Sequence, residues 1–292
     1  MPGGRCLPGC IAALISVIVT VLVNGIPPGL ITPGFLGTSM NGVTGAFDNK
    51  AVEEGAPVLG GIYHALLGTI QITLLATVIS VPVGLLTSIY LVEYGNDRPL
   101  ARAITFFVDV MTGIPSIVAG LFAAAFFFAI VGPPGTKTGA VAAVALSVLM
   151  IPVVVRSSEE MLKIVPNELR EASYALGVRK WRTITKVVIP TAISGIASGV
   201  TLAIARVIGE TAPILVTAGF ATTINNNVFG GWMASLPTFI YTQILNPTSP
   251  SNPGPSDQRA WGGAALVLII LVMLLNLGAR LIARLFAPKT GR

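Results

Sequence analysis

The amino-acid sequence predicts an all-α polytopic membrane protein with six transmembrane helices. Of its 292 residues, 53% are hydrophobic and only 10% are charged, whereas a soluble domain carries about 25% charged residues. A soluble protein of this composition could not cover its surface with polar groups. Six long apolar segments are separated by polar stretches, and about 20 apolar residues are enough to cross the core of a bilayer.

The first apolar segment is open to two interpretations. A signal peptide would explain it, with Arg5 as the charged start, but no small-residue cleavage site follows Val23. We therefore expect an uncleaved span. Pro82 and Pro115 are expected to kink the helices that contain them. The six segments are Leu7–Val23, Ala65–Val92, Ala103–Val131, Gly139–Val155, Val187–Val216 and Ala260–Ala283.

The distribution of positive charge predicts the orientation of the spans. If the N-terminus is cytoplasmic, fourteen Lys and Arg residues lie on the cytoplasmic side, against only Lys50, Lys137 and Arg259 on the other. Cytoplasmic loops of membrane proteins carry such an excess, so both termini are expected in the cytoplasm. The fourteen are Arg5, Arg98, Arg102, Arg156, Lys163, Arg170, Arg179, Lys180, Arg182, Lys186, Arg280, Arg284, Lys289 and Arg292.

Two long loops are predicted on the outer side, at residues 24–64 and 218–259. Both are rich in Gly, Pro and small polar residues, and the first contains a small acidic cluster around Asp48. Such loops are either flexible or a platform for an external protein, and the sequence leaves both alternatives open. His64, at the outer end of the second span, is expected to be a solvated loop residue.

The sequence argues against several other functions. The net charge of +6 does not indicate nucleic-acid binding, because Lys and Arg flank apolar segments and no basic patch with interleaved aromatic residues occurs. No Gly-rich phosphate loop with Lys-Ser/Thr is present, nor a nucleophile elbow. Cys6 and Cys10 have no metal-ligand spacing with the one histidine. We therefore expect no enzymatic activity and no cofactor in this chain.

Two charged residues within the fifth apolar segment are candidates for a transport pathway. Arg206 and Glu210 are four residues apart, which places them on one face of a continuous helix. In one interpretation they form an ion pair that lets the helix tolerate its own charges. In the other, Arg206 lines a passage and meets an anion, Glu210 orients it, and Thr211 adds a hydroxyl. Gly209 and Pro213 bracket this turn, and a backbone break is expected there because Pro213 leaves the Gly209 carbonyl without its helical partner.

A polar and basic stretch, residues 171–190, lies between the fourth and fifth apolar segments. It cannot stay in lipid, so it is predicted to form a loop at the membrane surface that docks against another protein.

Asp109, near the start of the third span, is expected to anchor at the cytoplasmic interface.

The stretch resembles the Glu-Ala-Ala loop of ABC importer permeases, which reads Glu-Ala-Ala, three residues, Gly, nine residues, then Ile-x-Leu-Pro. Glu171, Ala172, Gly177 and Pro190 match this pattern, and Ser173 takes the place of the second Ala. In that family the loop folds into short coupling helices that insert into a groove of the ATP-hydrolysing subunit. The resemblance implies the same role here.

Four further stretches resemble the PstA-type permeases of high-affinity phosphate importers. The likeness runs from about residue 62 to residue 286, and the Arg and Glu of the family pattern fall on Arg206 and Glu210. It implies the type I importer (MetI-like) permease fold and a bacterial inner membrane location. The stretches are SIYLVEYG (88–95), PSIVAGLF (115–122), IPVVVRSSEEMLKIVPNELREASYALG (151–177) and AIARVIGETAPIL (203–215).

The resemblance also implies an assembly. It comprises a second, PstC-like permease, a dimer of PstB-like ATPase subunits that hold ATP and Mg²⁺, and an external PstS-like phosphate-binding protein. On this basis residues 1–61 hold the first span and its outer loop, residues 62–286 form the permease core with the coupling loop at about 160–190, and residues 287–292 are a cytoplasmic tail.

The expected function is import of inorganic phosphate, driven by ATP hydrolysis on partner subunits and transmitted through the coupling loop. Two alternatives remain. A permease for another oxyanion, such as sulfate or molybdate, would use the same loop. A self-sufficient secondary transporter or channel would need no ATPase and would conduct when reconstituted alone.

Overall fold

The computed structural model describes residues 15–16, 18–23, 33–95, 98–132 and 137–285, and within these ranges it contains helices and no strand. The predicted all-α class is confirmed. Most of the first predicted span and the tail at 287–292 lie outside the described residues, although residues 15–16 and 18–23 of that span are helical.

The α-helices of the described residues, in chain order, are α1 (Pro33–Gly37), α2 (Gly45–Glu53), α3 (Tyr63–Ile89), α4 (Pro99–Thr112), α5 (Ser116–Val131), α6 (Gly139–Ile164), α7 (Asn167–Ala175), α8 (Lys180–Thr183), α9 (Ile189–Ile208), α10 (Ala212–Thr217), α11 (Leu236–Leu245), α12 (Gly254–Asp257) and α13 (Leu266–Leu285). Three wider, π-helical stretches adjoin them. Tyr90–Tyr94 continues α3, Ile184–Val188 joins α8 to α9, and Gln258–Ala265 joins α12 to α13.

The chain divides into two compact units. The loop unit comprises Met1–Gln71, Lys137–Gly139 and Ala218–Leu271, and the span unit comprises Ile72–Thr136, Ala140–Thr217 and Val272–Arg292.

The loop unit has its own apolar core. Helices α1, α11 and the start of α3 pack around a cluster that includes Phe35, Ile62, Leu236 and Phe239, all buried. The start of α11 is fixed by hydrogen bonds, since the Leu236 amide donates to Thr69 Oγ1 at 2.8 Å. Residues that the sequence predicted to be two separate long loops therefore fold onto one another.

His64 is buried in this core, so its predicted position as a solvated loop residue is wrong. Its side chain is 3% exposed, and its ring meets that of Phe239 edge to face, with centroids 5.4 Å apart. Phe239 belongs to a helix formed by the second long loop. The sequence around His64 holds no sign of that distant partner.

A fully buried ion pair ties the two long loops together. Arg259 Nη1 and Nη2 donate to the two carboxylate oxygens of Asp48 at 2.9 and 2.7 Å, and both side chains are at most 1% exposed. The remaining guanidinium hydrogens reach Gln243 Oε1, the Leu59 carbonyl oxygen and hydroxyl groups. Each donor group of the arginine is thus satisfied, as a buried charge requires.

Four helical segments of the described residues are long and apolar enough to cross a membrane. They are Tyr63–Tyr94, Gly139–Ile164, Lys180–Ile208 and Gly254–Gly278. Helices α4 and α5 make a fifth if the pair crosses as one span. Because most of the first predicted span is not described, the count of six stays a prediction.

The third predicted span, Ala103–Val131, is not one straight helix. Its two halves, α4 and α5, meet at an angle of 109°. Pro115 precedes α5 and, having no amide hydrogen, cannot continue the hydrogen-bond ladder of α4. The predicted kink at Pro115 is confirmed, but it is a sharp turn rather than a mild bend.

Helix α6 is the most buried of these four membrane-crossing segments. Glycines let its neighbours approach closely. A Cβ at Gly84 of α3 would lie 2.7 Å from Val154 Cγ1, and one at Gly199 of α9 would lie 2.6 Å from Ser157 Cβ. Small residues at helix contacts are typical of membrane proteins, where backbones pack without a hydrophobic driving force.

We predict that Asp48→Asn destabilises the loop unit, because it leaves the buried Arg259 guanidinium without its counter-charge. Breaking a buried pair from one side costs about 3–5 kcal/mol. Thermal unfolding of the purified protein measures the effect. The matched control is Glu53→Gln on the same helix, which is exposed and should change stability by less than about 0.5 kcal/mol. Equal melting temperatures for the two variants would contradict the role of the pair.

Candidate functional site

The predicted coupling loop folds into two short helices, α7 and α8, and Gly177 ends the first. Gly177 has a φ of +73°, a conformation that favours glycine. Its amide donates to the Tyr174 carbonyl oxygen at 2.9 Å, and the Val178 amide donates to the Ser173 carbonyl oxygen at 3.2 Å. This pair of bonds is the Schellman motif that closes helix C-termini. A Cβ at Gly177 would meet nothing within 4 Å, so the local requirement for glycine is conformational.

A buried hydrogen bond holds α7 against α8. Ser173 Oγ and Thr183 Oγ1 are 2.8 Å apart, and both residues are buried. The serine at the second alanine position therefore has a partner in this chain. Glu171 and Ala172 are exposed, and Pro190 lies in the first turn of α9, also exposed.

The surface of this loop carries large apolar side chains. Leu176 is 83% exposed and Trp181 is 53% exposed. Leu169 and Tyr174 are about 40% exposed. Partial burial, followed by the charge of the nearby Glu93, raises the pKa of the Tyr174 hydroxyl. A group of exposed apolar side chains is more typical of a protein-contact surface than of a solvated loop.

The helix that carries Arg206 is interrupted. Helix α9 ends at Ile208, and α10 begins at Ala212 after a short break that contains Glu210 and Thr211. The Glu210 amide donates to the Val207 carbonyl oxygen at 3.1 Å, and the Leu215 amide donates to that of Thr211 at 3.0 Å. The fifth apolar segment, Val187–Val216, is therefore not one helix, and the backbone break expected between Gly209 and Pro213 is present.

Arg206 and Glu210 do not form the ion pair that one interpretation required. Arg206 is exposed, Glu210 and Thr211 are half-buried, and in the described part of the chain neither charged side chain has a hydrogen-bond or ion-pair partner. The expectation that four-residue spacing places them on one helix face fails, because the helix ends between them. Arg206 lies in the last turn of α9, and Glu210 lies in the break that follows it.

The break is backed by a close helix contact. A Cβ at Gly120 of α5 would lie 2.7 Å from Pro213 Cα and 2.8 Å from Val216 Cγ2. Helix α10 therefore rests directly on the backbone of α5. Thr217 Oγ1 donates to the Pro213 carbonyl oxygen at 2.6 Å, which satisfies one of the last carbonyls of this short helix.

A charged network that the sequence did not predict lies where α4 meets α6. Arg156 pairs with Asp109, and its Nη1 donates to Glu159 Oε2 at 2.9 Å. Lys163 Nζ donates to Glu159 Oε1 at 2.7 Å. The network borders a cavity of about 410 Å³. Asp109, expected as an interface anchor, keeps 59% of its side chain exposed. Among the described residues, no three His, Cys, Asp or Glu side chains converge as metal ligands would.

Comparison with known proteins identifies similar chains. Residues 80–292 match the family model described as "Binding-protein-dependent transport system inner membrane component". The chain is 53% identical to the phosphate transport system permease protein PstA 1 of Mycobacterium tuberculosis, over 80% of this chain and 72% of that protein. It is 39% identical to PstA of Pasteurella multocida, over 80% and 78% of the two chains.

A solved structure of the MetNI methionine ABC transporter in inward-facing conformations has a similar fold. The TM-score is 0.58 at 24% identity, covering 77% of this chain and 94% of that one. At this identity the likeness concerns the fold alone, and it confirms the predicted MetI-like architecture.

We predict that Arg206 and Glu210 contribute independently to stability. The change in unfolding free energy of the double variant should equal the sum of the changes in Arg206→Gln and Glu210→Gln to within about 0.5 kcal/mol, as for sites that do not interact. Thermal unfolding in detergent tests this. A parallel cycle on Arg156 and Glu159, which are in contact, should give a coupling above that value. An equal coupling at Arg206 and Glu210 would reinstate the ion pair.

Proposed function

Because this chain belongs to the family of binding-protein-dependent transport system inner membrane components and, within it, to the PstA permeases, we propose that it imports inorganic phosphate as one of two permease subunits of an ATP-driven transporter. The chain is a polytopic membrane permease subunit and not an enzyme. The observation that carries the substrate assignment is its high identity to proteins named as phosphate transport permeases.

The proposed assembly divides the work among several proteins. A second, PstC-like permease completes the pathway, a dimer of PstB-like subunits binds ATP with Mg²⁺ and hydrolyses it, and an external PstS-like protein delivers phosphate. The chain spans a bacterial inner membrane with both termini in the cytoplasm. The excess of Lys and Arg in the loops on the side of its termini supports this orientation.

The loop from Glu171 to Pro190 is the proposed contact with the ATPase. Its two short helices, the closed helix end at Gly177 and the exposed apolar side chains of Leu176 and Trp181 support this role. A groove in a partner protein would bury these side chains, and burial of apolar area drives association. The loop transmits motion to the helices. The substrate is moved across the membrane and is not chemically changed.

Arg206, Glu210 and Thr211 are the proposed contacts with phosphate along the pathway. A charged side chain within a membrane costs about 2.5–3.5 kcal/mol on insertion scales, and a chain with 10% charged residues would not carry two without a use. The planar guanidinium of Arg206 matches two oxygens of a tetrahedral anion. That Arg206 has no partner among the described residues leaves its donors available.

Glu210 would limit how tightly the anion is held. It forms no direct bond with Arg206 in the described residues, so its effect would act through space. Transport requires binding that is strong enough for entry and weak enough for release. Backbone outside a helix at membrane depth is tolerated where it is buried in protein or lines a cavity, which supports placing the break at residues 209–211 beside the pathway.

Reconstitution of the whole complex tests the function. Proteoliposomes that contain both permeases and the ATPase, with the binding protein outside, should accumulate radiolabelled phosphate only with ATP inside. Sulfate and molybdate should not compete. Accumulation of sulfate or molybdate in place of phosphate would assign another oxyanion. Phosphate flux through vesicles that contain this chain alone would make it a self-sufficient transporter or channel and would contradict the assignment.

We predict that Arg206→Ala impairs phosphate uptake while the complex still assembles. Loss of hydrogen bonds to a charged group, each worth about 1.5–3 kcal/mol, should lower the uptake rate by about tenfold or more. Arg206→Lys, which keeps the charge but loses the planar fork, should retain part of the rate. The control is Arg280→Ala, an exposed arginine of α13, which should transport normally. Full uptake by Arg206→Ala would make this arginine purely structural.

A further inference from the structure

Glu93 occupies an unusual position at the end of helix α3. It lies in the π-helical stretch Tyr90–Tyr94, and its side chain is only 4% exposed. A buried carboxylate needs both a counter-charge and hydrogen bonds. Arg170 of α7, in the coupling loop, supplies them, with Nε and Nη2 at 3.1 and 3.0 Å from Glu93 Oε1. A carboxylate on a membrane-crossing helix is thereby joined to the loop that is proposed to meet the ATPase.

The other donors of Arg170 fix the end of a second helix. Nη1 donates to the Val165 carbonyl oxygen at 2.6 Å, and Nη2 donates to the Leu162 carbonyl oxygen at 2.9 Å. Both carbonyls belong to the last turn of α6 and the residue after it, where the helix itself offers no donors. Arg170 therefore closes the C-terminus of α6 and holds Glu93 with the same planar group.

A second basic residue of the loop reaches the same point. Lys180, at the start of α8, donates to the Glu93 backbone oxygen, and its Nζ lies 4.7 Å from the centre of the Tyr94 ring. We call Glu93, Arg170 and Lys180 the Glu93 hub. The hub joins α3, the end of α6 and both helices of the coupling loop.

The apolar packing next to the hub cannot fix the orientation of these helices by itself. Leu162, Val165 and Val188 form a buried cluster against Ile89 and Val92, and this cluster lets the helices cohere. Apolar contact is non-directional, so it allows one helix to slide or turn on another. A forked guanidinium held by a carboxylate and two carbonyls fixes direction as well as distance.

We propose that Glu93 is a positioning residue for energy coupling. Through Arg170 and Lys180 it makes α3, the end of α6 and the coupling helices move as one body, so that motion imposed on α7 reaches the membrane-crossing helices. Without the hub, α7 would rotate against the apolar cluster, and ATP would be hydrolysed without transport. The inference rests on the proposed function, because it presumes an ATPase at the loop.

The test measures phosphate imported per ATP hydrolysed in proteoliposomes of the complete complex. Glu93→Gln removes the charge with little change of shape. The double variant Glu93→Gln/Arg170→Gln removes both charges, so that no buried charge is left unpaired. In both we expect the ratio to fall by about fivefold or more, the lower end of typical coupling effects, while the ATPase still co-purifies and hydrolyses ATP. Glu93→Asp keeps the charge and should recover part of the ratio.

The control is Glu160→Gln, an exposed carboxylate of α6, which should keep the wild-type ratio. A ratio within about twofold of wild type in a folded Glu93→Gln or double variant would overturn the proposal. So would failure of all three variants to assemble, since the hub would then serve folding. A wild-type complex that binds no ATPase or imports no phosphate would instead refute the proposed function, whatever the variants do.

Discussion

Among the described residues, charge that is removed from water is held by opposite charge, and this constraint shapes each of the two compact units. Arg259 is fully buried and meets Asp48, and Arg170 is largely buried and meets Glu93. In each case the remaining donors reach neutral acceptors, which include backbone carbonyl oxygens and polar side chains. A chain with only 10% charged residues places these pairs where distant segments must be brought together. The first joins two long loops, and the second joins the coupling loop to a membrane-crossing helix.

Charges without a partner stand out against that background. Arg206 and Glu210 adjoin a break between two helices, and no hydrogen-bond or ion-pair partner reaches either side chain from the described residues. Paired charges in this protein are explained by architecture, since each satisfies a neighbour. Unpaired charges beside the end of a membrane-crossing helix have no such explanation, and under the proposed function a passing anion is the partner that offsets the cost of Arg206. The proposed function gives the closed helix end at Gly177 and the apolar surface beside it a different task, contact with a protein.

The sequence predicted those parts of the structure that depend on local information. Apolar length located most of the helices, and the family resemblance at Glu171–Pro190 implied the short helices of the loop. The first of them ends at Gly177, where φ is positive and glycine is favoured. Pro115 indicated a bend, although its size of 109° depends on how α5 packs. Residues joined across long separations could not be predicted. His64 was misplaced because Phe239 covers it, and the Glu93–Arg170 pair joins positions 77 residues apart. Arg206 and Glu210 were assigned to one helix face from their spacing alone. Gly209 and Pro213 indicated a break nearby, but not that the helix ends between the two charges, at Ile208.

The central claim is that a separate ATPase works on the loop between Glu171 and Pro190. The most direct measurement is photo-cross-linking in intact membranes from a reactive residue at Leu176, which is 83% exposed, with the same residue at Phe229, which is 75% exposed, as control. The account predicts that the ATPase subunit is captured from position 176 and not from position 229. Equal capture from both positions, or none from position 176 in an actively transporting strain, would contradict it.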